Sequence, residues 1–188
     1  MARKTNSIKS RVFKFHVLNI KIISDDEIDI NDYKNLFVNS FKNKTIGHIR
    51  GERLGIIRQL FTKENDHYIY GAFCGFIKIK GQAFDIEAMD MVDFEIPKNI
   101  FPNAKESQFV FYPELHRVAI YSTGELGLNA IVSMLRNIFT ITLGDKEKID
   151  IIIEQSVDGF NKILDAQEIR NLHIEISPSN GDLNKDYI

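Results

Sequence analysis

The sequence predicts an α+β fold: a mainly antiparallel sheet with helices on one face, in a ferredoxin-like topology. Three observations carry this prediction. Several segments alternate apolar and polar side chains with period two, three others carry apolar stripes at helical spacing, and one hairpin stands out at residues 108–121. At 188 residues, the chain has a length that suits a single domain of this kind.

The N-terminal half is predicted to form a strand, a helix and two further strands. Residues 11–24 alternate with period two and are rich in Val, Phe and Ile, which indicates a strand with one buried face. Residues 32–42 carry an apolar stripe at helical spacing, with Asn31 or Asp32 as the N-cap. Two β-rich stretches follow, at residues 45–61 and 67–79.

Two glycines interrupt the second of these stretches, and a weakly patterned connection follows it. Gly71 and Gly75 predict a β-bulge or a close approach of another backbone, because glycine weakens a strand interior unless such a feature requires it. Residues 81–106 are predicted to form a long irregular connection with a short edge strand at 91–96. Connections of this length within a compact domain are often functional.

The C-terminal half shows the clearest patterns. Residues 108–121 read as two strands around a four-residue loop, and residues 128–140 carry the apolar stripe of a helix that ends before Gly144 and packs on this hairpin. The remaining predicted elements are a buried strand at 149–153, a helix at 157–169 and a final strand at 172–176.

We expect a basic N-terminal arm over residues 1–10, one α+β domain over residues 11–176 and a polar tail over residues 177–188. The first 24 residues carry six basic side chains and no carboxylate, and such an arm attracts phosphate in a salt-dependent way. A solvated terminus that leads into a strand is the alternative explanation of these charges.

Composition excludes several classes of protein. The 24 basic and 26 acidic side chains give a net charge of −2, so this is not a strongly basic coat for nucleic acid. A single cysteine, Cys74, excludes an intramolecular disulfide and a Cys-rich zinc site. There is no apolar run of about 18 residues and no hydrophobic segment of a signal peptide, so we expect a cytoplasmic protein without membrane contact.

The common catalytic and nucleotide-binding motifs are also missing. The sequence contains no dinucleotide-binding glycine fingerprint, no P-loop, no zinc-protease motif and no serine-hydrolase elbow. We therefore expect neither a cofactor nor a metal ion.

One candidate site lies in residues 45–55, which combine two guanidiniums, a carboxylate, an imidazole and three glycines. Arginine forks match phosphate oxygens, and glycines let backbone amides approach an anion. Arg50 and Arg53 are therefore predicted to bind an anion, while Glu52 orients an arginine or acts as a base. An internal Arg–Glu pair that fixes a twisted strand is the structural alternative.

A second candidate site is the loop of the predicted hairpin, residues 112–117. His116 next to Arg117 combines proton transfer with oxyanion stabilisation without a metal. An exposed histidine without a role is the alternative. Because neither segment looks self-sufficient, we predict that Arg50 and Arg53 lie within about one side-chain length of His116 and Arg117, in one partly exposed Arg/His patch.

The order of these motifs resembles a bacterial family catalogued as a domain of unknown function, number 4747 in its series. The motifs that carry the resemblance lie at residues 18–22, 49–55, 109–117, 154–156 and 172–176. The resemblance implies a bacterial origin and a place among accessory genes, such as phage-defence or toxin–antitoxin loci, but no reaction. The shared positions that it implies are Arg50, Glu52, Arg53, His116, Arg117, Glu154 and Glu175.

Three functions remain open at this point, and so does the question whether the protein is an enzyme. The first is a defence-associated module that recognises nucleic acid or a nucleotide through the Arg/His patch, helped by sheet aromatics that stack bases. The second is a protein-interaction component, antitoxin-like or a sensor subunit, that controls a neighbouring effector, with oligomerisation left open. The third is a metal-independent ribonuclease with His116 as acid or base. The candidate stacking residues are Tyr68, Tyr70, Phe73 and Phe76, whose alternative place is the core.

Overall fold

The computed structural model describes residues 14–62, 67–79, 81–93, 97, 99–145 and 147–154. Four of the predicted features lie wholly outside these described residues. They are the basic arm at 1–10, the helix at 157–169, the strand at 172–176 and the polar tail at 177–188.

The described residues form strands, two long helices and one short 3₁₀ turn (Pro113–Leu115). The helices are α1 (Ile30–Lys42) and α2 (Leu128–Leu143). The strands are β1 (Phe15–Ile23), β2 (Gly47–Arg50), β3 (Arg53–Phe61), β4 (Ile69–Ile77), β5 (Gln82–Asp85), β6 (Asp90–Asp93), β7 (Lys105–Tyr112), β8 (Arg117–Tyr121) and β9 (Lys148–Glu154).

Seven strands form one antiparallel sheet in the order β2-β3-β4-β7-β8-β1-β9, which curls into a half-barrel. The other two strands of the described residues, β5 and β6, pair with each other in a separate two-stranded sheet. The α+β class and the mainly antiparallel sheet are therefore confirmed. The strand order differs from the predicted ferredoxin-like topology, because the consecutive strands β2, β3 and β4 pair with one another and extend the sheet well beyond four strands.

The predicted hairpin and both predicted helices within the described residues are present. Helix α1 begins earlier than predicted, because Asp29 rather than Asn31 or Asp32 is its N-cap. The Asp29 carboxylate accepts hydrogen bonds from the backbone amides of Asp32 (3.0 Å) and Asn31 (2.7 Å), and the Asp32 carboxylate accepts from the amide of Asp29. These bonds, led by that of the Asp32 amide, lower the pKa of Asp29.

Both helices pack on one face of the sheet, and the hydrophobic core lies between them and the strands. Phe37 of α1 stacks on Phe111 of β7 with ring centres 4.2 Å apart. Two of the glycines in residues 45–55 serve this packing: a Cβ atom at Gly47 would lie 2.8 Å from Cγ1 of Ile138, and one at Gly55 would lie within 3 Å of a side chain of the same helix. They therefore make room for α2 instead of cradling an anion.

A β-bulge in β3 controls which side chains reach the other face of the sheet. Ile57 pairs with Phe73, but the next pair in the register is Gln59 with Ala72. The extra residue between them shifts the alternation of the strand, so Gln59 and Phe61 lie on the face opposite the helices. We call this face, which α1 and α2 leave uncovered, the open face.

The predicted close approach of another backbone is confirmed at Gly71, whereas the prediction is wrong for Gly75, which makes room for a side chain. A Cβ atom at Gly71 would lie 2.9 Å from the carbonyl carbon of Gln59 and closer still to its oxygen, so Gly71 admits the bulged backbone of β3. A Cβ atom at Gly75 would lie 2.7 Å from Cδ1 of Leu126. Both positions therefore mark a close approach, of a backbone at Gly71 and of a side chain at Gly75.

Candidate functional site

The strand register separates the two halves of the predicted Arg/His patch. Arg53 pairs with Ile77 at one end of β4, whereas Ile69 at the other end pairs with Phe111, next to the loop that carries His116. Eight residues of strand, at about 3.3 Å each, place these ends roughly 26 Å apart. The predicted proximity of the arginines to the hairpin loop is therefore wrong, because successive antiparallel strands put the β2–β3 and β7–β8 turns at opposite ends of the sheet.

The β2–β3 turn nevertheless presents two guanidiniums. Arg50 and Arg53 are directly paired across the turn, and Gly51 has the positive φ of +56° that the turn requires. The His48 ring bonds the carbonyl oxygen of Gly51 (2.7 Å). Within the part of the chain that the structure describes, neither arginine forms an ion pair with Glu52, so the internal pair expected as an alternative is not observed.

His116 is part of the core and not of an exposed loop. Only 3% of the surface of His116 is exposed, and its ring stacks on the ring of Tyr33 with ring centres 3.9 Å apart. Its backbone has the left-handed φ of 55°, and its carbonyl oxygen accepts a hydrogen bond from the amide of Ile20 (2.8 Å). An imidazole in this position supports the turn between β7 and β8 and offers no surface to a substrate.

The structure does bring two of the predicted ligand-binding residues together. Nε of Arg117 lies 2.7 Å from Oε1 of Glu154, and both half-buried side chains lie on the open face. Glu175 lies outside the described residues. In the described ranges, no group of three or more His, Cys, Asp or Glu side chains is arranged to hold a metal ion.

The open face carries a groove with a volume of about 860 Å³, which we call the aromatic groove. Aromatic rings line it in two clusters. Phe61 stacks on Tyr70 (ring centres 5.0 Å apart), which is followed by Tyr68, and Phe15 packs against Tyr121 (5.8 Å) on the other side. Tyr68 and Tyr70 are 42% and 43% exposed, so their rings are accessible.

Between the two aromatic clusters the groove has a small-residue floor and two amides. Ala72 lies in the middle, paired with Gln59 on one side and with Gln108 on the other. Neither glutamine side chain has a hydrogen-bond partner among the residues that the structure describes. These amides are therefore available to a ligand.

Two ion pairs on the open face flank the groove along its strands. Arg58 pairs with Glu106, two residues before Gln108, and Arg117 pairs with Glu154. All four side chains are between 31% and 45% exposed. Exposed pairs of this kind contribute only about 0–1 kcal/mol to stability, so an incoming phosphate competes easily with either carboxylate.

Sequence reasoning found part of this groove. Two of the candidate stacking residues, Tyr68 and Tyr70, line the groove. The other two, Phe73 and Phe76, are buried in the protein, which was the alternative expectation for them. The period-two pattern of β8 also places Tyr121 on the face of Arg117. Phe61 was missed, because the bulge in β3 decides its face and leaves no signal in the sequence of β3 itself.

A second exposed feature is the β5–β6 hairpin. Ile86 and Met89 in its turn are 79% and 72% exposed. The Asp85 carboxylate accepts hydrogen bonds from the backbone amides of Glu87 (2.8 Å) and Ala88 (3.0 Å) and so orders the turn. Residues 81–93 contain four acidic side chains and no basic one.

The fold and the groove define an α+β protein with an aromatic-lined antiparallel sheet. The chain belongs to the family described as Domain of unknown function (DUF4747), which it matches over residues 11–187. No curated protein and no solved structure matches the chain. Among the described helices, none has the length and apolar character needed to cross a membrane.

Proposed function

We propose that the protein binds single-stranded nucleic acid, or nucleotides, in the aromatic groove. The observation that carries this proposal is the pair of accessible aromatic clusters on the open face of an antiparallel sheet. Unpaired bases stack on such rings, and each stacked base contributes about 1–3 kcal/mol. The groove thus replaces the Arg/His patch as the centre of the nucleic-acid hypothesis.

Charges around the groove fit a single strand better than a duplex. The net charge of −2 gives the chain as a whole no general attraction to a duplex backbone. Arg58 and Arg117 flank the groove, and each is paired with a partly exposed carboxylate. The basic segment at residues 1–10 supplies further phosphate contacts in this proposal, whereas Arg50 and Arg53 lie at the far end of the sheet from the groove.

The bacterial accessory setting, in phage defence or a toxin–antitoxin locus, stays part of the proposal, as does a cytoplasmic location. The family resemblance is its only support. A ribonuclease is not proposed, because the imidazole of His116 is buried against Tyr33.

The test is a titration of fluorescein-labelled 12-nucleotide single strands with the full chain, read by anisotropy. Tyr70→Ala should weaken binding about 5- to 150-fold, the loss of one stacked base. Phe84→Ala is the matched control, because Phe84 is an exposed aromatic outside the groove, on the β5–β6 hairpin. Equal losses in both variants, or binding by neither the wild type nor the variants, would contradict the proposal.

The β5–β6 hairpin favours a second candidate function, recognition of a protein partner. Solvent-exposed Ile86 and Met89 sit on an ordered turn, and Met89 holds a φ of +52° that is unfavourable for a bulky side chain. Because residues 81–93 carry four acidic side chains, we expect basic side chains on the surface of the partner. We propose that the partner binds Ile86 and Met89 in an apolar pocket that is surrounded by lysine or arginine side chains.

This second proposal is tested on the products of the two genes that flank this one, each co-expressed with the full chain. The double variant Ile86→Ser, Met89→Ser should abolish co-purification, while Tyr70→Ala should retain it. Binding should also weaken as salt rises, because the acidic hairpin meets basic side chains. Co-purification that survives the double variant would refute the hairpin as the docking element.

A further inference from the structure

The two glutamines of the aromatic groove stand on one transverse row of the sheet. Gln59 pairs with Ala72, and Ala72 pairs with Gln108, so the glutamines lie two strands apart with a methyl group between them. Two strand spacings place their Cα atoms about 10 Å apart. Because all three residues are on the open face, the two amides lie on opposite sides of a gap, and Ala72 forms the bottom of this gap.

This gap is suited to bind a planar heterocycle. Its floor is flat and small, and the stacked rings of Phe61 and Tyr70 border it on one side. The ring pair of Phe15 and Tyr121 lies beyond Gln108 on the same transverse row. A base in the gap is therefore held by apolar contacts and meets a carboxamide at each of two edges.

A carboxamide presents one acceptor oxygen next to one amino donor. It forms two hydrogen bonds with a base edge that offers a neighbouring donor and acceptor, as glutamine does with N6 and N7 of adenine. Adenine offers this combination on both edges, because its N6 amino group lies between N1 and N7 and donates one proton to each side. Cytosine and uracil have one such edge, and the N7–O6 edge of guanine has acceptors only.

We infer that Gln59 and Gln108 clamp an adenine base between them and make the groove selective for adenine-containing single strands or adenine nucleotides. Each amide oxygen accepts one proton of N6, and the amide nitrogens donate to N1 and N7. This inference rests on the proposed function, since it names the base that the groove prefers. The glutamine amides provide the selectivity for adenine, and the aromatic rings provide affinity for any base.

The selectivity is measured by anisotropy titration of the full chain with (rA)12, (rC)12 and (rU)12. The wild type should bind (rA)12 at least about fivefold more tightly than the other two, since a good bidentate pair discriminates by about that factor or more. Gln59→Leu and Gln108→Leu should each weaken (rA)12 binding at least about fivefold and remove its advantage over the other two, because the one remaining amide pairs with a single edge of any of the three bases. Gln82→Leu, the same substitution on the β5–β6 hairpin, should leave all three unchanged.

A competition experiment on the wild-type chain removes any dependence on how the variants fold. Adenosine should displace (rA)12 at lower concentration than 7-deazaadenosine, which lacks the N7 acceptor, and N6,N6-dimethyladenosine, which lacks the N6 donors. Equal potency of the three nucleosides would refute the clamp.

The failure of this inference is distinct from the failure of the proposed function. If all three oligonucleotides bind with equal affinity and the glutamine variants change nothing, the clamp is refuted while the stacking groove stands. If no oligonucleotide binds the wild type, both are refuted. Selectivity for (rA)12 that is lost in Gln59→Leu and Gln108→Leu supports both.

Discussion

The close approach at Gly71 is the feature on which the shape of the groove depends, so Gly71→Ala is a direct test of it. The new Cβ atom would lie 2.9 Å from the carbonyl carbon of Gln59 and closer to its oxygen. Backbone atoms cannot rotate away as a side chain does, so β3 must move away from β4 or lose its bulge. Either change displaces Gln59 and Phe61 from the open face.

Overpacking of this kind costs about 1–3 kcal/mol, and we expect the upper end because the clash is with backbone. For a chain of this size, about 3 kcal/mol lowers the melting temperature by about 6–12 °C. The measurement is thermal unfolding of the full chain by circular dichroism. Below the transition, Gly71→Ala should also bind single strands more weakly, since it moves groove residues that the substitution itself does not alter.

Gly127→Ala is the matched control, because a Cβ atom at Gly127 would meet no other atom within 4 Å. Gly127 is the N-cap of α2 without a side-chain hydrogen bond, so this variant should lose about 1 kcal/mol or less. A melting temperature of Gly71→Ala equal to that of the wild type, or to that of Gly127→Ala, would refute the bulge as the device that forms the groove.

Three further predictions concern the core, the cysteine and the first helix. Phe37→Ala empties a fully buried site between stacked rings and should cost about 3–5 kcal/mol by denaturant unfolding, whereas Ile141→Ala at an exposed position of α2 should change stability by less than about 0.5 kcal/mol. Burial raises the pKa of the Cys74 thiol, so its reaction with Ellman's reagent at pH 8 should be slow and should become fast in denaturant; a fast reaction in the native protein would show that β4 opens. Because folding lowers the pKa of Asp29, its stabilisation of α1 is complete above the unfolded-state pKa and is lost as the pH falls through the folded value. The melting temperature of Asp29→Ala should therefore lie below that of the wild type at pH 7 and converge with it in acid, and the control Asp25→Ala should show no such gap.

Local patterns were sufficient to predict most of the described elements, but not the β5–β6 hairpin, which lies in the segment 81–106 that was predicted to be irregular apart from an edge strand at 91–96. Period-two alternation predicted the strands of the hairpin at 108–121, and an apolar stripe predicted α2 within three residues of its observed end at Leu143. Such patterns report the environment of each side chain through its near neighbours in the chain. They misplaced the start of α1 by only two residues, because several acidic and amide side chains near residue 30 are all good N-caps.

The candidate site was less predictable, because it depends on contacts between distant segments. The sequence shows that Arg53 and His116 carry useful chemistry, but the register of three successive strands separates them by the length of the sheet. The burial of His116 depends on Tyr33, which lies more than 80 residues earlier in the chain. Neither relation leaves a trace in the local pattern of either segment.

The sequence by itself determined the fold class and the positions of most described elements, since these follow from composition and periodicity. It offered Tyr68 and Tyr70 as candidate stacking residues but did not decide between the surface and the core for them. Only the tertiary structure decided where the groove lies and what lines it. The bulge in β3 turns Gln59 and Phe61 toward the open face because the backbone of β4 has no side chain at Gly71. That choice is set by the pairing of two strands, and strand pairing is a property of the folded sheet and not of either strand alone.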